Sequence, residues 1–208
     1  MDHDEELVSA CQSGDVVAFE TLVRKYQDRI VRLMYLLLGN ADDAEDVAQE
    51  TFIRAFRCIG AFRHRSNFST WLHRIAVNTA RNWIRDNRVE RETVPLPDER
   101  WWAGSTRPEE ILIARERAME VRNALAQIPP CYREAVILRH FDGLSYEEIA
   151  EAQQVPVGTV RSRLAKGREL LQKSLRRGTE TACPERMANH GLQEGKEAYS
   201  PRSRRGRR

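Results

Sequence analysis

Apolar residues recur at helical spacing along most of this 208-residue chain, and no segment shows the alternating pattern of a β-strand. In the second periodic segment, for example, Phe19, Leu22, Ile30, Leu33 and Leu37 fall on one face of a helix. The pattern predicts eight helices, over about 4–12, 15–39, 41–59, 69–87, 109–127, 131–140, 145–153 and 156–177. We therefore predict an all-α protein.

Capping residues mark the ends of several of these helices. Asp15 is a favourable N-cap for the second helix, and Gly39 followed by Asn40 is a typical helix end. Ser145 is followed three residues later by Glu148, which is the pattern of a capping box. Pro156 suits the first turn of the last helix. The last two helices are therefore predicted to be separated by a short turn.

The last helix has one apolar face and one basic face. On a helical wheel the apolar side carries Val157, Val160, Leu164, Leu171 and Leu175. The opposite side carries Arg161, Ser162, Ala165, Lys166 and Glu169. A short helix, a tight turn and a second helix with a basic outer face form a helix-turn-helix, whose second helix fits the DNA major groove. The alternative is an ordinary helical hairpin with a solvated basic face.

A segment without periodicity divides the helices into two groups. The run VERETVPLPDERWWAGSTRP, from Val89 to Pro108, contains three prolines and is typical of a linker. We predict two small helical domains joined by a flexible linker, the second domain being the helix-turn-helix. The predicted bounds are 1–88 for the N-terminal domain, 89–107 for the linker, 108–177 for the C-terminal domain and 178–208 for a disordered basic tail.

Composition and cysteine spacing narrow the class of protein. No stretch is long and apolar enough to cross a membrane, and the acidic start MDHDEELV does not have the pattern of a signal peptide. The four cysteines are far apart and form no CxxC pair, which argues against a zinc site and a disulfide framework. We therefore expect a cytoplasmic protein with reduced thiols and no metal.

Charge is distributed unevenly although the net charge is only +3. The start of the third helix is acidic, and Asp42, Asp43 and Glu45 suit a helix N-terminus because of the helix dipole. Asp46, Gln49 and Glu50 lie a turn further in and face outward, so they could bind a basic protein surface. From Arg54 to Arg91 the chain turns basic.

The fourth helix and the loop before it combine aromatic and cationic residues. The loop FRHRSNF carries two phenylalanines and three cations, which suits stacking on unpaired bases together with phosphate contacts. A polar stripe on the helix carries Arg74, Asn78, Arg81, Asn82 and Arg85. A loop pocket beside this stripe could hold a flipped base. The alternative is that Phe62, Phe68 and Trp71 are core residues, and for Trp71 we prefer that interpretation.

Three segments in this order resemble a known family. They are DAEDVAQETFIRAFR, FSTWLHRIAVNTARNWIR and ALAQIPPCYREAVILRHFDGLSYEEIAEAQQVPVGTVRSRLAKGRELL. Together they resemble bacterial RNA polymerase sigma factors of the small, two-domain extracytoplasmic-function (ECF) group of the sigma-70 family. The resemblance covers about 13–177 and is specific, because three separate motifs match in order and spacing.

The resemblance implies three sets of binding residues. For the clamp helices of the largest polymerase subunit they are Asp46, Gln49, Glu50 and Arg54. For an unstacked base and the strand of the −10 promoter element they are Phe62, Arg65, Asn67, Phe68, Arg74, Asn78, Arg81 and Asn82. For the major groove of the −35 element they are Thr159, Arg161, Ser162, Arg163, Ala165 and Lys166.

The resemblance also implies partners and a role. Such a protein binds core RNA polymerase and promoter DNA, and promotes strand opening without hydrolysing a nucleotide itself. Sigma factors of this group are usually held inactive by an anti-sigma factor, which is often anchored in the membrane. These partners follow from the resemblance, since no residue pattern in the chain points to a particular anti-sigma factor.

Three other functions compete with this interpretation. A transcription regulator that binds duplex DNA through the helix-turn-helix alone would have no use for the acidic helix or the aromatic loop. An enzyme would need a phosphate loop, metal-ligand spacing or a nucleophile motif, and we find none of these, so we predict no catalytic residue and no cofactor. His64, His73 and His140 are scattered and are interpreted as surface residues. The third competing function is that of a degenerate sigma factor, which binds polymerase without opening DNA.

Overall fold

The computed structural model describes residues 3–64, 66–87 and 108–181, and its regular structure within those ranges is entirely helical. The eight α-helices there, α1 to α8, are His3–Gln12, Val16–Leu38, Ala41–Cys58, Phe68–Asp86, Pro108–Ala126, Pro130–His140, Tyr146–Gln153 and Val157–Thr181. A short 3-10 helix, Ile59–Ala61, follows α3. The all-α prediction is confirmed. The predicted linker, 89–107, lies outside the described residues.

Helix α8 is longer than the sequence pattern predicts. It continues to Thr181, beyond the expected end at about 177, and the predicted domain bounds stay a prediction. An isolated glycine within a helix, such as Gly178, costs only about 1 kcal/mol relative to alanine, so it does not by itself end the helix. The remainder of the predicted tail, 182–208, lies outside the described residues.

The predicted caps are confirmed by their hydrogen bonds. The carboxylate of Asp15 accepts from the backbone N–H groups of Val17 and Ala18 at 2.8 and 3.2 Å. Gly39 ends α2 in the left-handed conformation, with φ at 80°, and its N–H donates to the carbonyl oxygen of Tyr35. These contacts satisfy backbone groups that a helix end leaves without partners. They fix the direction in which the chain leaves each end of α2.

The helix-turn-helix is formed by α7 and α8. At its start Ser145 and Glu148 form the predicted capping box, with each side chain bonded to the other residue's backbone N–H. At its turn Gln154 adopts the left-handed conformation, with φ at 56°, and the N–H of Val155 donates to the carbonyl oxygen of Ala150 at 3.0 Å. This arrangement is a Schellman-type ending, which lets α8 begin after only a short break.

Helix α8 packs against α6 through a glycine. A Cβ atom at Gly167 would lie 2.6 Å from Cγ2 of Val136 and 3.1 Å from the carbonyl oxygen of Tyr132. The lack of a side chain at Gly158, near the start of α8, predicts a close approach of either the preceding helix or DNA, yet a Cβ there would meet nothing within 4 Å. The close helix contact is therefore at Gly167, and at Gly158 the alternative that DNA approaches stays a prediction.

The N-terminal half (α1–α4) and the C-terminal half (α5–α8) pack against each other. Helix α4 lies against α7, and α2 lies against α6. Buried apolar side chains form one connected core that includes Ile30 and Leu72 from the first half and Ile137 and Leu164 from the second. Among the described residues, no helix is both long and apolar enough to cross a bilayer. Nor do those residues contain a cluster of three or more side chains suited to a metal ion.

Candidate polymerase and nucleic-acid interfaces

The outer face of α3 carries the residues expected to bind polymerase. Asp46 and Gln49 are exposed, whereas Ala44, Val47 and Ala48 on the opposite side are buried. Glu50 and Arg54 form an ion pair along the helix, with 2.6 Å between Oε1 and Nε. Because both of these side chains remain 41% exposed, the ion pair contributes little to the stability of the fold.

Two exposed apolar residues extend this face and were missed by the sequence analysis. Ile53 and Phe56 are 39% and 46% exposed, and they follow Asp46 and Gln49 at helical spacing. The ring of Phe56 rests against that of Phe19 with 5.0 Å between the centroids. The spacing could have revealed them, since residues 46, 49, 53 and 56 form one stripe. Ile53 and Phe56 therefore place two apolar side chains among the polar residues on the outer face of α3.

The aromatic residues of the loop before α4 are buried. Phe62, Phe68 and Trp71 are only 7%, 5% and 6% exposed. Their rings pack together, with 5.1 Å between the centroids of Phe62 and Trp71 and 5.6 Å between those of Phe68 and Trp71. The core interpretation of Trp71 is confirmed. In this arrangement Phe62 and Phe68 also serve the core, so their stacking on bases stays a prediction.

A pocket of about 410 Å³ opens beside this aromatic cluster. Its lining is formed by Ala61, Phe62, Arg63, Ser66, Trp71, Arg74 and Glu151. His64, which follows Arg63 in the loop, has φ at 51°, a left-handed value that is uncommon for residues other than glycine. Asn67 is exposed and precedes the first residue of α4, and Arg65 lies outside the described residues. That this pocket holds an unstacked base stays a prediction.

The polar stripe of α4 faces the C-terminal half. Arg74, Asn78, Arg81 and Asn82 are all half-buried. The guanidinium of Arg81 donates two hydrogen bonds to the carboxylate of Glu134 in α6. Nη2 lies 2.6 Å from Oε2, and Nε lies 3.1 Å from Oε1. Glu134 is 5% exposed, so its charge is largely removed from water and needs this partner. Arg81 is therefore occupied by a protein carboxylate in this structure.

Two further side chains of α7 bond to the same surface. Glu151 accepts a hydrogen bond from Ser66 at 2.6 Å, and Glu148 accepts one from Thr70 at 3.0 Å. The backbone N–H of Ser145 lowers the pKa of Glu148 below its ordinary value, and the hydroxyl groups of Ser145 and Thr70 contribute in the same direction. Glu148 therefore presents a carboxylate, rather than a neutral acid, to the N-terminal half.

The prediction that His73 is a surface residue is wrong. Its side chain is 0% exposed, because α4 turns this face toward the loop after α6. Nδ1 lies 2.7 Å from the carbonyl oxygen of Ser69 and must donate to it, while Nε2 lies 3.6 Å from Oδ2 of the buried Asp142. The Nε2 and Oδ2 atoms form no hydrogen bond with each other, whereas Oδ1 of Asp142 accepts one from Nε of Arg29 in α2 at 3.4 Å. A buried polar group therefore joins the two halves here.

The basic face of α8 is open. Arg161, Ser162, Ala165 and Lys166 are exposed, and Val160 and Leu164 on the opposite side are buried, as the helical wheel predicts. Nζ of Lys166 lies 2.9 Å from the carboxylate of Glu169 on the same exposed surface.

Thr159 and Arg163 differ from the other expected −35 contacts because both are half-buried. Nη1 of Arg163 donates to Oε1 of Gln153 at 2.9 Å, and Nε2 of Gln153 donates to Glu134 at 3.3 Å. Glu134 is also the partner of Arg81. A single network of hydrogen bonds thus connects two arginines that were expected to contact DNA at different promoter elements.

Two family profiles match this chain, one in each half. The profile of Sigma-70 region 2 matches residues 22–90, which include α3, the aromatic loop and α4. The profile of Sigma-70, region 4 matches residues 118–171, which include the helix-turn-helix. Region 2 precedes region 4 along the chain, which is the order of the three sequence segments that resemble the family.

Curated relatives match over most of their length. The RNA polymerase sigma-H factor of Pseudomonas aeruginosa is 42% identical over 182 residues, covering 84% of this chain and 94% of the relative. The ECF RNA polymerase sigma factor SigW of Bacillus subtilis is 37% identical over 177 residues, covering 81% of this chain and 95% of the relative. The chain belongs to the ECF group of RNA polymerase sigma factors.

Solved structures share the fold. CnrH in complex with the cytosolic domain of CnrY aligns with a TM-score of 0.66 at 25% identity, covering 84% of this chain and 97% of that one. The sigma factor RpoE of Bartonella quintana was solved in complex with the anti-sigma factor NepR. It aligns with a TM-score of 0.63 at 26% identity, covering 77% of this chain and 98% of that one. Both likenesses extend over the two halves of the molecule.

Proposed function

We propose that this protein directs core RNA polymerase to promoters by reading the −35 element with α8 and the −10 element with α4 and its preceding loop. The observation that carries the proposal is the division of α8 into a buried apolar face and an exposed basic face within a region 4 match. Arginine and lysine on such a face reach phosphates and guanine edges in the major groove. Arg161 and Lys166 are the side chains with this exposure.

The outer face of α3 is the proposed polymerase-binding surface. Its proposed contacts with the clamp helices of the largest subunit are Asp46, Gln49, Glu50 and Arg54. We add Ile53 and Phe56 to this set because both are exposed on the same stripe of α3. Exposed carboxylates around two apolar side chains suit a basic partner surface with an apolar centre.

The −10 surface is proposed to hold an unstacked base of the non-template strand. The pocket beside Phe62 and Arg74 is the site for that base, and Asn78, Arg81 and Asn82 continue the contact along α4. Holding a flipped base opposes restacking by a few kcal/mol, so the chain assists strand opening without nucleotide hydrolysis. Two weak DNA contacts joined through polymerase strengthen each other by effective concentration.

An anti-sigma factor is the proposed inhibitor, and the cytoplasm is the proposed location. The support is the similarity to RpoE, whose structure was solved with the anti-sigma factor NepR. An anti-sigma factor anchored in the membrane would also hold this protein at the cytoplasmic face of the bilayer.

A reconstituted transcription assay tests the proposal. The purified chain is mixed with bacterial core polymerase and a promoter library, and the run-off transcripts are sequenced. Specific start sites that share −35 and −10 elements are expected. The absence of start sites, together with binding of duplex operators by the protein alone, would instead identify a free-standing regulator. Binding to core polymerase without any start sites would identify a degenerate sigma factor.

Replacing Asn78 with alanine is expected to slow promoter opening roughly tenfold while closed complexes still form, because about 1.4 kcal/mol of base capture would be lost. Permanganate reactivity of unpaired thymines near −10 measures the opening rate. Asn123→Ala makes the same chemical change on an exposed residue of α5 and serves as the control. Wild-type permanganate reactivity in the Asn78 variant would exclude the assigned role.

A further inference from the structure

Arg163 does not share the exposure of the basic face of α8. Arg161 and Lys166 on that face are exposed, whereas Arg163, which lies between them in the sequence, is half-buried. Its Nη1 atom donates a hydrogen bond to Oε1 of Gln153 at 2.9 Å, and Gln153 is only 2% exposed. The guanidinium of Arg163 is therefore directed toward a buried amide of its own domain.

Helical spacing places Arg163 on the packed side of α8. Val160, three residues before it, and Gly167, four residues after it, are both buried. Residues three and four apart lie on the same face of a helix, so all three share the side that contacts α6 and α7. Arg163 is the cation on this side, and Gln153 satisfies its polar end there.

The amide of Gln153 fits its surroundings in only one orientation. Its Oε1 atom accepts from Arg163, and its Nε2 atom donates to Oε2 of the buried Glu134 in α6 at 3.3 Å. The reverse orientation would set an N–H group against a guanidinium, which has no acceptor, and an oxygen against a carboxylate, which has no donor. Glutamine at this position therefore connects α8 to α6, and neither leucine nor glutamate could supply both bonds.

The bond from Arg163 to Gln153 spans the turn of the helix-turn-helix. Gln153 is the last residue of α7, Gln154 follows it in the left-handed conformation, and Arg163 lies in the second turn of α8. A bond between the end of one helix and the second turn of the next restrains the angle between the two helices. That angle determines where Arg161 and Lys166 are presented.

We infer that Arg163 is a positioning residue of the helix-turn-helix: it acts through Gln153 to hold α8 at its angle to α7, and it makes no contact with the −35 element. The inference rests on the proposed function of α8 and adds the contact that orients its basic face. It separates Arg163 from Arg161 and Lys166, which remain the proposed DNA contacts. Loss of either Arg163 or Gln153 removes the same restraint.

Hydrogen exchange on the full-length chain alone is the first test. Arg163→Ala and Gln153→Leu are each expected to speed amide exchange of Gln154 and Val155 in the turn roughly 3- to 10-fold, because losing a bond to a charged group favours local opening. Arg168→Ala is the matched control, since Arg168 is an exposed cation that bonds to the backbone of its own helix at 3.3 Å. Wild-type exchange in both test variants would overturn the inference.

Transcription by holoenzyme is the second test, with the full chain, bacterial core polymerase and a promoter recovered in the transcription assay. Each test variant is expected to lower the ratio of transcription from intact to scrambled −35 elements roughly 3- to 10-fold, and the double variant is expected to match the single ones within about twofold. A variant that only destabilised the fold would lower transcription from both promoters alike and leave this ratio unchanged. An unchanged ratio, or losses that multiply in the double variant, would contradict the positioning role.

Salt dependence distinguishes positioning from a phosphate contact. Binding of the same promoter by holoenzyme is measured between about 50 and 200 mM salt. Arg163→Ala is expected to leave the slope of log affinity against log salt unchanged, whereas loss of a phosphate contact would lower its magnitude by roughly 0.9. A fall of that size, together with wild-type binding by Gln153→Leu, would make Arg163 a DNA contact and overturn the inference.

The outcomes also separate this inference from the proposed function. If the transcription assay yields start sites while these measurements fail, the positioning role is wrong and the proposed function stands. If the assay yields none, the proposed function fails, and hydrogen exchange still decides whether the bond from Arg163 to Gln153 holds the turn.

Discussion

Replacing Arg161 with alanine is expected to lower transcription from promoters with a −35 element by roughly 10- to 100-fold. A good arginine contact to a base edge contributes about 1–3 kcal/mol of discrimination, and Arg161 is the first exposed cation of α8. The buried residues that position the helix, Val160 and Leu164, are unaffected by the change. Run-off transcription from matched promoters with intact and scrambled −35 elements measures the effect.

Lys173→Ala supplies the control for Arg161. Lys173 is an exposed cation on the same helix, beyond the part that follows the turn, so its loss changes the net charge equally. Binding of the Arg161 variant to core polymerase is expected to match that of the wild type. If the variant still distinguished intact from scrambled −35 elements, Arg161 would not read that element.

Replacing Gly167 with alanine is expected to lower the free energy of unfolding, although alanine is a better helix former than glycine. The added Cβ would approach Val136 to 2.6 Å and the carbonyl oxygen of Tyr132 to 3.1 Å. Overpacking a dense contact of this kind costs about 1–3 kcal/mol, which exceeds the roughly 1 kcal/mol gained in helix propensity. Denaturant unfolding followed by far-ultraviolet circular dichroism measures the difference.

Gly158→Ala is the matched substitution on the same helix. A Cβ at Gly158 meets nothing within 4 Å, so unchanged or slightly higher stability is expected there. Equal loss of stability at Gly158 and Gly167 would show that the contact between α6 and α8 does not distinguish the two positions. Higher stability in the Gly167 variant would show that α6 and α8 can separate at little cost.

The helices could be predicted from the sequence because the apolar residues of each one recur at helical spacing and mark its buried face. The division of α8 follows from periodicity, since a residue's side of a helix depends only on its position along that helix. Caps such as Asp15 and Ser145 are equally local, because the bonding groups lie within a few residues of each other. Such features need no knowledge of the rest of the fold.

The contacts between the two halves were not predicted, because their partners are far apart in the sequence. Arg81 and Glu134 are 53 residues apart, and Ser66 and Glu151 are 85 residues apart. Periodicity places Arg81 on a polar face but cannot show that another helix covers that face. His73 was misassigned for the same reason, since a polar residue is expected to be exposed until a buried partner such as Asp142 is known.

The ion pair between Arg81 and Glu134 has a consequence for how this chain could diverge. On the proposed function Arg81 has two incompatible partners, a carboxylate of its own chain and a phosphate or base of the promoter. A substitution at Arg81 would therefore alter both the contact between the two halves and DNA binding. A substitution at Glu134 would release Arg81 and would also remove the acceptor of Gln153, which in turn bonds to Arg163, so a change at one buried carboxylate would reach both proposed DNA surfaces at once.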